Sequence, residues 1–191
     1  MLFGITGGSG SGKSYVADIF RKYGFFIIDT DKTGHEIIKK GREAYYELIE
    51  KFGAEILAED GEIDRRKLGS IVFSDKDKLS MLNSVTHPHI KSEIYSLAEK
   101  NGGISGVDGA LLIECGIECS PLIAVIADKN IRADRIIKRD GIDRELAVKR
   151  INSQKSDEFY RSHCDFIIEN NEGISEENIK NIVDRLRNWY E

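Results

Sequence analysis

The stretch Leu2-Phe3-Gly4-Ile5-Thr6-Gly7-Gly8-Ser9-Gly10-Ser11-Gly12-Lys13-Ser14 decides how the rest of the chain is read. Leu2 to Thr6 is a short apolar run that ends in a Gly/Ser cluster, the pattern of a buried strand. Residues 7–14 then match GxxxxGK[ST] in full. Val16, Ile19, Phe20 and Tyr23 follow at helical spacing, and Gly24 supplies a stop. The chemistry explains the residue types. Glycine tolerates positive φ and lets backbone N–H groups approach an anion closely. The helix that follows turns its positive end on the same anion. Gly8, Gly10, Ser11, Gly12, Lys13 and Ser14 are therefore expected to cradle the phosphates of ATP. Lys13 is expected to reach the β- and γ-phosphates, and the Ser14 hydroxyl to ligate Mg²⁺.

Phe25-Phe26-Ile27-Ile28 reads as a second buried strand, which completes β-α-β and ends in Asp29 and Asp31. Ligands of open α/β sheets bind beyond the carboxyl ends of the strands. One of the two carboxylates is expected to take the proton of an acceptor hydroxyl and the other to support the Mg²⁺ shell. The alternative for either is a cap on the next helix, and spacing alone leaves the division open. From residue 32 to 101 the pattern is mostly helical, with stripes at Tyr45, Leu48, Ile49 and Phe52 and at Ile90, Ile94 and Leu97. Pro88 suits a first helical turn, with Thr86 or His87 near the cap. Strands are expected again at Gly109–Ile113, Leu122–Ala127 and Phe166–Ile168. A last helix follows Ser175, with Ile179, Ile182, Val183, Leu186 and Trp189 on its apolar face.

Between Arg132 and Arg150 five arginines and two lysines face four acids. Arg132, Arg135 and Arg139 share a helix face at i, i+3 and i+7. Such a face is expected to act as a lid that neutralises the transferring phosphoryl group and excludes water. The competing arrangement is a solvated helix with pairs such as Asp140–Arg144.

The balance of the chain excludes other classes. A net charge of −5 gives no reason to expect a nucleic acid or an anionic membrane as partner. No apolar run approaches the ~18–20 residues that cross a bilayer, and the N-terminus lacks the pattern of a signal peptide. Cys115, Cys119 and Cys164 have neither disulfide nor zinc spacing; the first two read as small buried residues, and a reducing cytoplasm is the expected setting. No obligate protein partner is evident.

Eight blocks then occur in one order: GITGGSGSGKS at 4–14, IIDTD at 27–31, GEIDRRKLGSIVF at 61–73, LNSVTHPHI at 82–90, LLIECGIE at 111–118, RIIKRDG at 135–141, RINSQ at 150–154 and DFIIEN at 165–170. Together they resemble the dephospho-CoA kinase family, which transfers the ATP γ-phosphate to the 3′-hydroxyl of dephospho-CoA. The resemblance implies Asp31 as base, Lys13 and Arg139 as further catalytic groups, and Arg135, Asn170 and Tyr15 on the ATP side. It also implies Asp29, Asp31, Arg65 and His87 as contacts of the acceptor. The segment Ala110–Glu114 lacks the proline and the aromatic of the family pattern, and Tyr15 stands where a threonine is common.

The expected fold is α/β, a P-loop NTPase-type parallel sheet flanked by helices, with an inserted helical substrate lobe and a helical lid. Residues 1–31 and 102–191 form the nucleotide-binding core, with the lid at about 132–154, and residues 32–101 form the acceptor lobe. The expected activity is phosphorylation of dephospho-CoA by ATP with Mg²⁺. The alternatives are a P-loop kinase for another small hydroxyl acceptor, such as a nucleoside or nucleotide, and a regulatory ATPase.

Overall fold

The computed structural model describes residues 1–189 and divides into two compact units, residues 1–28 with 98 onward, and residues 29–97. In chain order it opens with β1 (Leu2–Thr6), α1 (Lys13–Lys22) and β2 (Phe26–Asp29). The helices α2 (Thr30–Ile37), α3 (Glu43–Phe52), α4 (Arg65–Val72) and α5 (Lys76–Asn101) follow. Then come β3 (Ser105–Asp108), β4 (Leu122–Ile126), α6 (Lys129–Asp140), α7 (Arg144–Asn152), α8 (Asp157–His163), β5 (Phe166–Glu169) and α9 (Glu176–Asn188).

The first unit is built on a five-stranded sheet in the order β2-β3-β1-β4-β5. β1 pairs in parallel with both β3 and β4, and β4 with β5. β4 shows why such strands read as unbroken apolar runs. Ile123 and Val125 join the core with Phe3, Phe20 and Ile179, whereas Ala124 and Ile126 pack with Tyr160 on the other side. Side chains alternate across a strand, so a sheet covered on both faces needs apolar residues at every position. Phe3, Phe20 and Phe25 pack ring to ring with centroids 5.4–5.7 Å apart.

One strand lies elsewhere than the sequence suggests. β3 ends at Asp108, and Ala110 to Gly116, which include most of the expected strand, form turns. Leu112 is buried there while Leu111 is exposed. The true strand contains Gly106, where a Cβ would lie 2.5 Å from Ile27 Cδ1 and 2.6 Å from Phe3 Cζ. Close packing demands a glycine in the strand and so erases its apolar signal. Trp189, expected on the apolar face of α9, sits at the C-cap of that helix and is 56% exposed.

The second unit has its own apolar core, with Ile37, Tyr45, Leu48, Phe52, Leu68, Val72 and Val85 at its centre. Side-chain caps set its helix starts: Asp29 accepts from Lys32 N at α2, and Asp64 from Arg66 N and Lys67 N at α4. Tyr45 Oη donates to Gly61 O at 2.6 Å, which satisfies the polar end of a buried ring. Pro88 does not open a helix; it lies inside the long α5. Thr86 Oγ1 donates to Leu82 O at 2.9 Å, a bond back to the preceding turn rather than a cap.

Candidate active site

The phosphate loop joins β1 to α1 at the carboxyl end of the sheet. Gly7, Gly10 and Gly12 adopt φ of 145°, 78° and 99°, the positive region that favours glycine. Gly12 is the N-cap of α1 and brings no side chain to the first helical N–H groups. Those donors are the ones a helix leaves for an anion. Inside the loop, Ser11 Oγ is buried and has no hydrogen-bond partner among the described residues. A buried hydroxyl without a partner costs free energy that a hydrogen bond to a ligand would offset. Lys13 Nζ forms an ion pair with Asp108, which ends β3 and is 5% exposed.

The outer side of the loop is gripped at three successive carbonyls. Arg132 Nε donates to Ser9 O at 2.9 Å. Arg135 Nη1 donates to Gly10 O and Ser11 O, both at 3.2 Å. Asn170 Nδ2 donates to Ser11 O at 2.8 Å, and Arg135 Nη2 in turn holds Asn170 O at 2.9 Å. In a trans peptide the C=O and the next N–H point opposite ways. The N–H groups of Gly10 and Gly12 therefore point away from these braces, whereas Ser11 N donates to Gly8 O at 3.2 Å. Glycine is also dictated from outside: a Cβ at Gly8 or Gly10 would collide with Arg132, and one at Gly12 with Asn170 Nδ2.

Arg132 is 3% exposed, and burial pushes its guanidinium pKa below the usual value while Asp157, 3.8 Å away, opposes that. Gln154 completes the grip. Its Oε1 accepts from Ser9 N and from Arg132 Nη2, each at 2.9 Å, and its Nε2 donates to Ser9 Oγ at 3.0 Å.

The basic segment is not one helix. Gly141, at φ 66°, ends α6, and α7 begins after Asp143, whose side chain caps it. The two helices pack through Ala133, Ile136, Ala147 and Ile151. Nor do its three arginines share one task. Arg132 and Arg135 bind the loop, while Arg139 is exposed and donates through Nε to Asp140 Oδ1 at 2.7 Å. Asp140 pairs with Arg139 and Arg150, and Arg144 with Asp134, so ion pairs of the kind in the competing arrangement do form, with partners other than Asp140–Arg144. The Arg139 hydrogen bond, with help from Arg150, holds the Asp140 carboxyl at about 2. The same bond raises the pKa of Arg139.

In the helical unit, Asp29 is the N-cap of α2 and Asp31 lies exposed in its first turn. Arg65 opens α4, with Nη1 3.5 Å from His35 Nδ1. His87 is half-buried on α5, and burial pushes its pKa down. The structure thus gathers Gly8, Gly10, Ser11, Gly12, Lys13, Ser14, Arg135 and Asn170 around the loop. Arg139 stands at the far end of α6, and Tyr15 is 60% exposed on α1. Asp29, Asp31, Arg65 and His87 belong to the other unit. Sequence reasoning assigned no role to Asp108 or Gln154, and it read Arg132 as part of a lid rather than a brace of the loop. Asp108 was hidden by the glycines before it, whereas Gln154 stands in the quoted RINSQ block and was open to notice. Cys115, Cys119 and Cys164 are half-buried thiols rather than fully buried ones. Burial raises Cys119 to about 12 and Cys164 to about 11.

Comparison with known proteins extends this geometry. The sequence profile of dephospho-CoA kinase matches residues 1–176. A dephospho-CoA kinase of Corynebacterium glutamicum is 38% identical over 191 residues, covering 96% of this chain and 98% of that protein. Among solved structures, the protein TT1252 of Thermus thermophilus gives a TM-score of 0.83 at 27% identity, covering 100% of this chain and 98% of that one. A dephospho-CoA kinase of Campylobacter jejuni gives 0.67 at 26% identity, covering 99% and 96%.

Proposed function

The chain belongs to the dephospho-CoA kinase family, and on that premise we propose how its residues carry out the transfer. It is an ATP-dependent kinase that phosphorylates the ribose 3′-hydroxyl of dephospho-CoA to give CoA, the last step of coenzyme A synthesis. The observation that carries the nucleotide half is the phosphate loop, with three carbonyls pinned outward and Lys13 at its end. The acceptor half is carried by likeness that runs through both units, with 38% identity over 96% of the chain.

In the proposed mechanism the loop N–H groups and the head of α1 bind the phosphates, and Lys13 leaves Asp108 to meet the β- and γ-oxygens. Asp31, set by the IIDTD block directly after β2, takes the proton of the 3′-hydroxyl. The ribose oxygen forms a bond to the γ-phosphorus as the bond to the β-phosphate bridging oxygen breaks, and ADP departs. Arg139 offsets charge on the moving phosphoryl group. Asp29, Arg65 and His87 are assigned to the acceptor, and Arg135, Asn170 and Tyr15 to the ATP side.

The donor set suits Mg²⁺. Ser14 supplies a hydroxyl and Asp108 a carboxylate, hard oxygen ligands without thiolate. No group of three or more metal-binding side chains occurs among the described residues. When bound, Mg²⁺ neutralises phosphate charge. No helix among the described residues is long and apolar enough to cross a membrane. Dephospho-CoA as a small-molecule substrate fits the family, and a reducing cytoplasm is the setting proposed for its three free thiols.

The test is the product. With ATP, Mg²⁺ and dephospho-CoA the protein should yield CoA, heavier by one phosphate and esterified at the 3′ position. Asp31→Asn should slow that reaction by at least about a hundredfold with ATP affinity kept. A fully active Asp31→Asn enzyme would remove Asp31 from the mechanism, and phosphate on another hydroxyl would overturn the assigned acceptor atom.

A further inference from the structure

The expected lid, residues 132–154, begins and ends on the same atom group. Arg132 lies in the second turn of α6, and Gln154 follows α7 by two positions. Between them they hold every polar group of Ser9: its N–H and Oγ go to Gln154 and its carbonyl to Arg132. They also bond to each other at 2.9 Å. Arg132 is a buried cation, and Gln154 uses both ends of its amide. Their hydrogen bonds run to one loop residue and to each other, and Arg132 also lies 3.8 Å from Asp157.

A glycine-rich loop has many backbone conformations, and fixing each residue costs roughly 1–2 kcal/mol. If that ordering had to occur on ligand binding, it would be subtracted from phosphate affinity. A loop already held in its binding shape escapes the loss. Because the two braces rise from the two feet of the α6–α7 hairpin, anything that shifts Ser9 also shifts the base of the hairpin, and the reverse. We propose that Arg132 and Gln154 are positioning residues for phosphoryl transfer, clamping Ser9 so that the phosphate loop is preformed and moves as one body with the base of the hairpin. This role rests on the kinase reading of the loop, but it concerns binding of the nucleotide phosphates and can be measured without an acceptor.

Gln154→Ala is the informative change, since Gln154 is only partly buried and removing it leaves the Arg132 side chain in place. Affinity for ATP and for ADP, measured by calorimetry on the full chain, should each fall about tenfold, and KM for ATP should rise by a similar factor with kcat changed less. Gln154→Glu keeps an acceptor for Ser9 N and for Arg132, so it should recover most of the lost affinity. Ser9→Ala removes one of the Gln154 bonds, and its effect should be less than additive with Gln154→Ala. A merely structural residue would lower the melting temperature and leave both affinities at wild-type values. That result, or a Gln154→Glu protein as weak as Gln154→Ala, would overturn the clamp. Failure of the wild-type protein to make CoA would instead strike the kinase reading, and the nucleotide affinities would still decide the clamp.

Discussion

Two regions of the α6–α7 hairpin use the same residue type in opposite ways. On the side of the phosphate loop, Arg132 and Arg135 donate to main-chain carbonyls of Ser9, Gly10, Ser11 and Asn170. Arg139 and Arg144 beside its turn, and Arg150 in the last turn of α7, instead pair with Asp140 and Asp134, and the three arginine side chains are exposed. A buried charge needs partners to offset its desolvation, so the buried Arg132 is committed to one geometry. Exposed pairs contribute little and exchange readily, so the exposed arginines remain available to an incoming phosphate. Sequence spacing placed Arg132, Arg135 and Arg139 on one face. The structure separates them by what each finds at its end.

Removing a foot should have the largest effect. Arg132→Ala strips Ser9 O and Gln154 Oε1 of a charged donor in a buried setting and should cost about 2–4 kcal/mol of stability. Thermal unfolding should register this as a fall of roughly 5–15 °C. A loss of only a degree or two would show that the foot is no more committed than the tip.

The tip should behave differently. Arg139→Ala is expected to leave the melting temperature nearly unchanged and to lower kcat about a hundredfold, with less effect on acceptor KM. An unchanged kcat would remove Arg139 from the transfer step and leave the tip as ordinary solvated surface.

The smallest effect sharpens the same contrast. Asp140 is held at about 2, chiefly by its hydrogen bond to Arg139. A carboxyl lowered by folding contributes stability that is present above its ordinary value near 3.8 and is lost as the pH falls through about 2. Carboxyl carbon NMR should find a low midpoint for Asp140 in the wild type. In Arg139→Ala the midpoint should climb toward the ordinary value. A midpoint that does not move would mean that the pair at the tip is not formed in solution.

The phosphate loop was legible in the sequence because its chemistry leaves few choices. Gly7, Gly10 and Gly12 must take positive φ, and Lys13 and Ser14 must follow at once. The sheet strands around it were legible where both faces are apolar, as in β1, β4 and β5. β3 was not, because Gly106 must be small to pass Phe3 and Ile27, while the apolar Leu111-Leu112-Ile113 serves a turn. Asp108 was lost with its strand. The pair of acids after β2 was read as ambiguous, and the structure makes Asp29 the helix cap. Arg132 and Gln154 share Ser9 across more than a hundred residues of chain, a contact that helical spacing does not express.

What most needs testing is the transfer of phosphate from ATP to an acceptor hydroxyl. Its most direct test is ADP release from Mg²⁺ and ATP, followed with and without dephospho-CoA. Near silence is expected without the acceptor, and one ADP for each CoA formed with it. Steady hydrolysis that ignores dephospho-CoA would contradict that transfer.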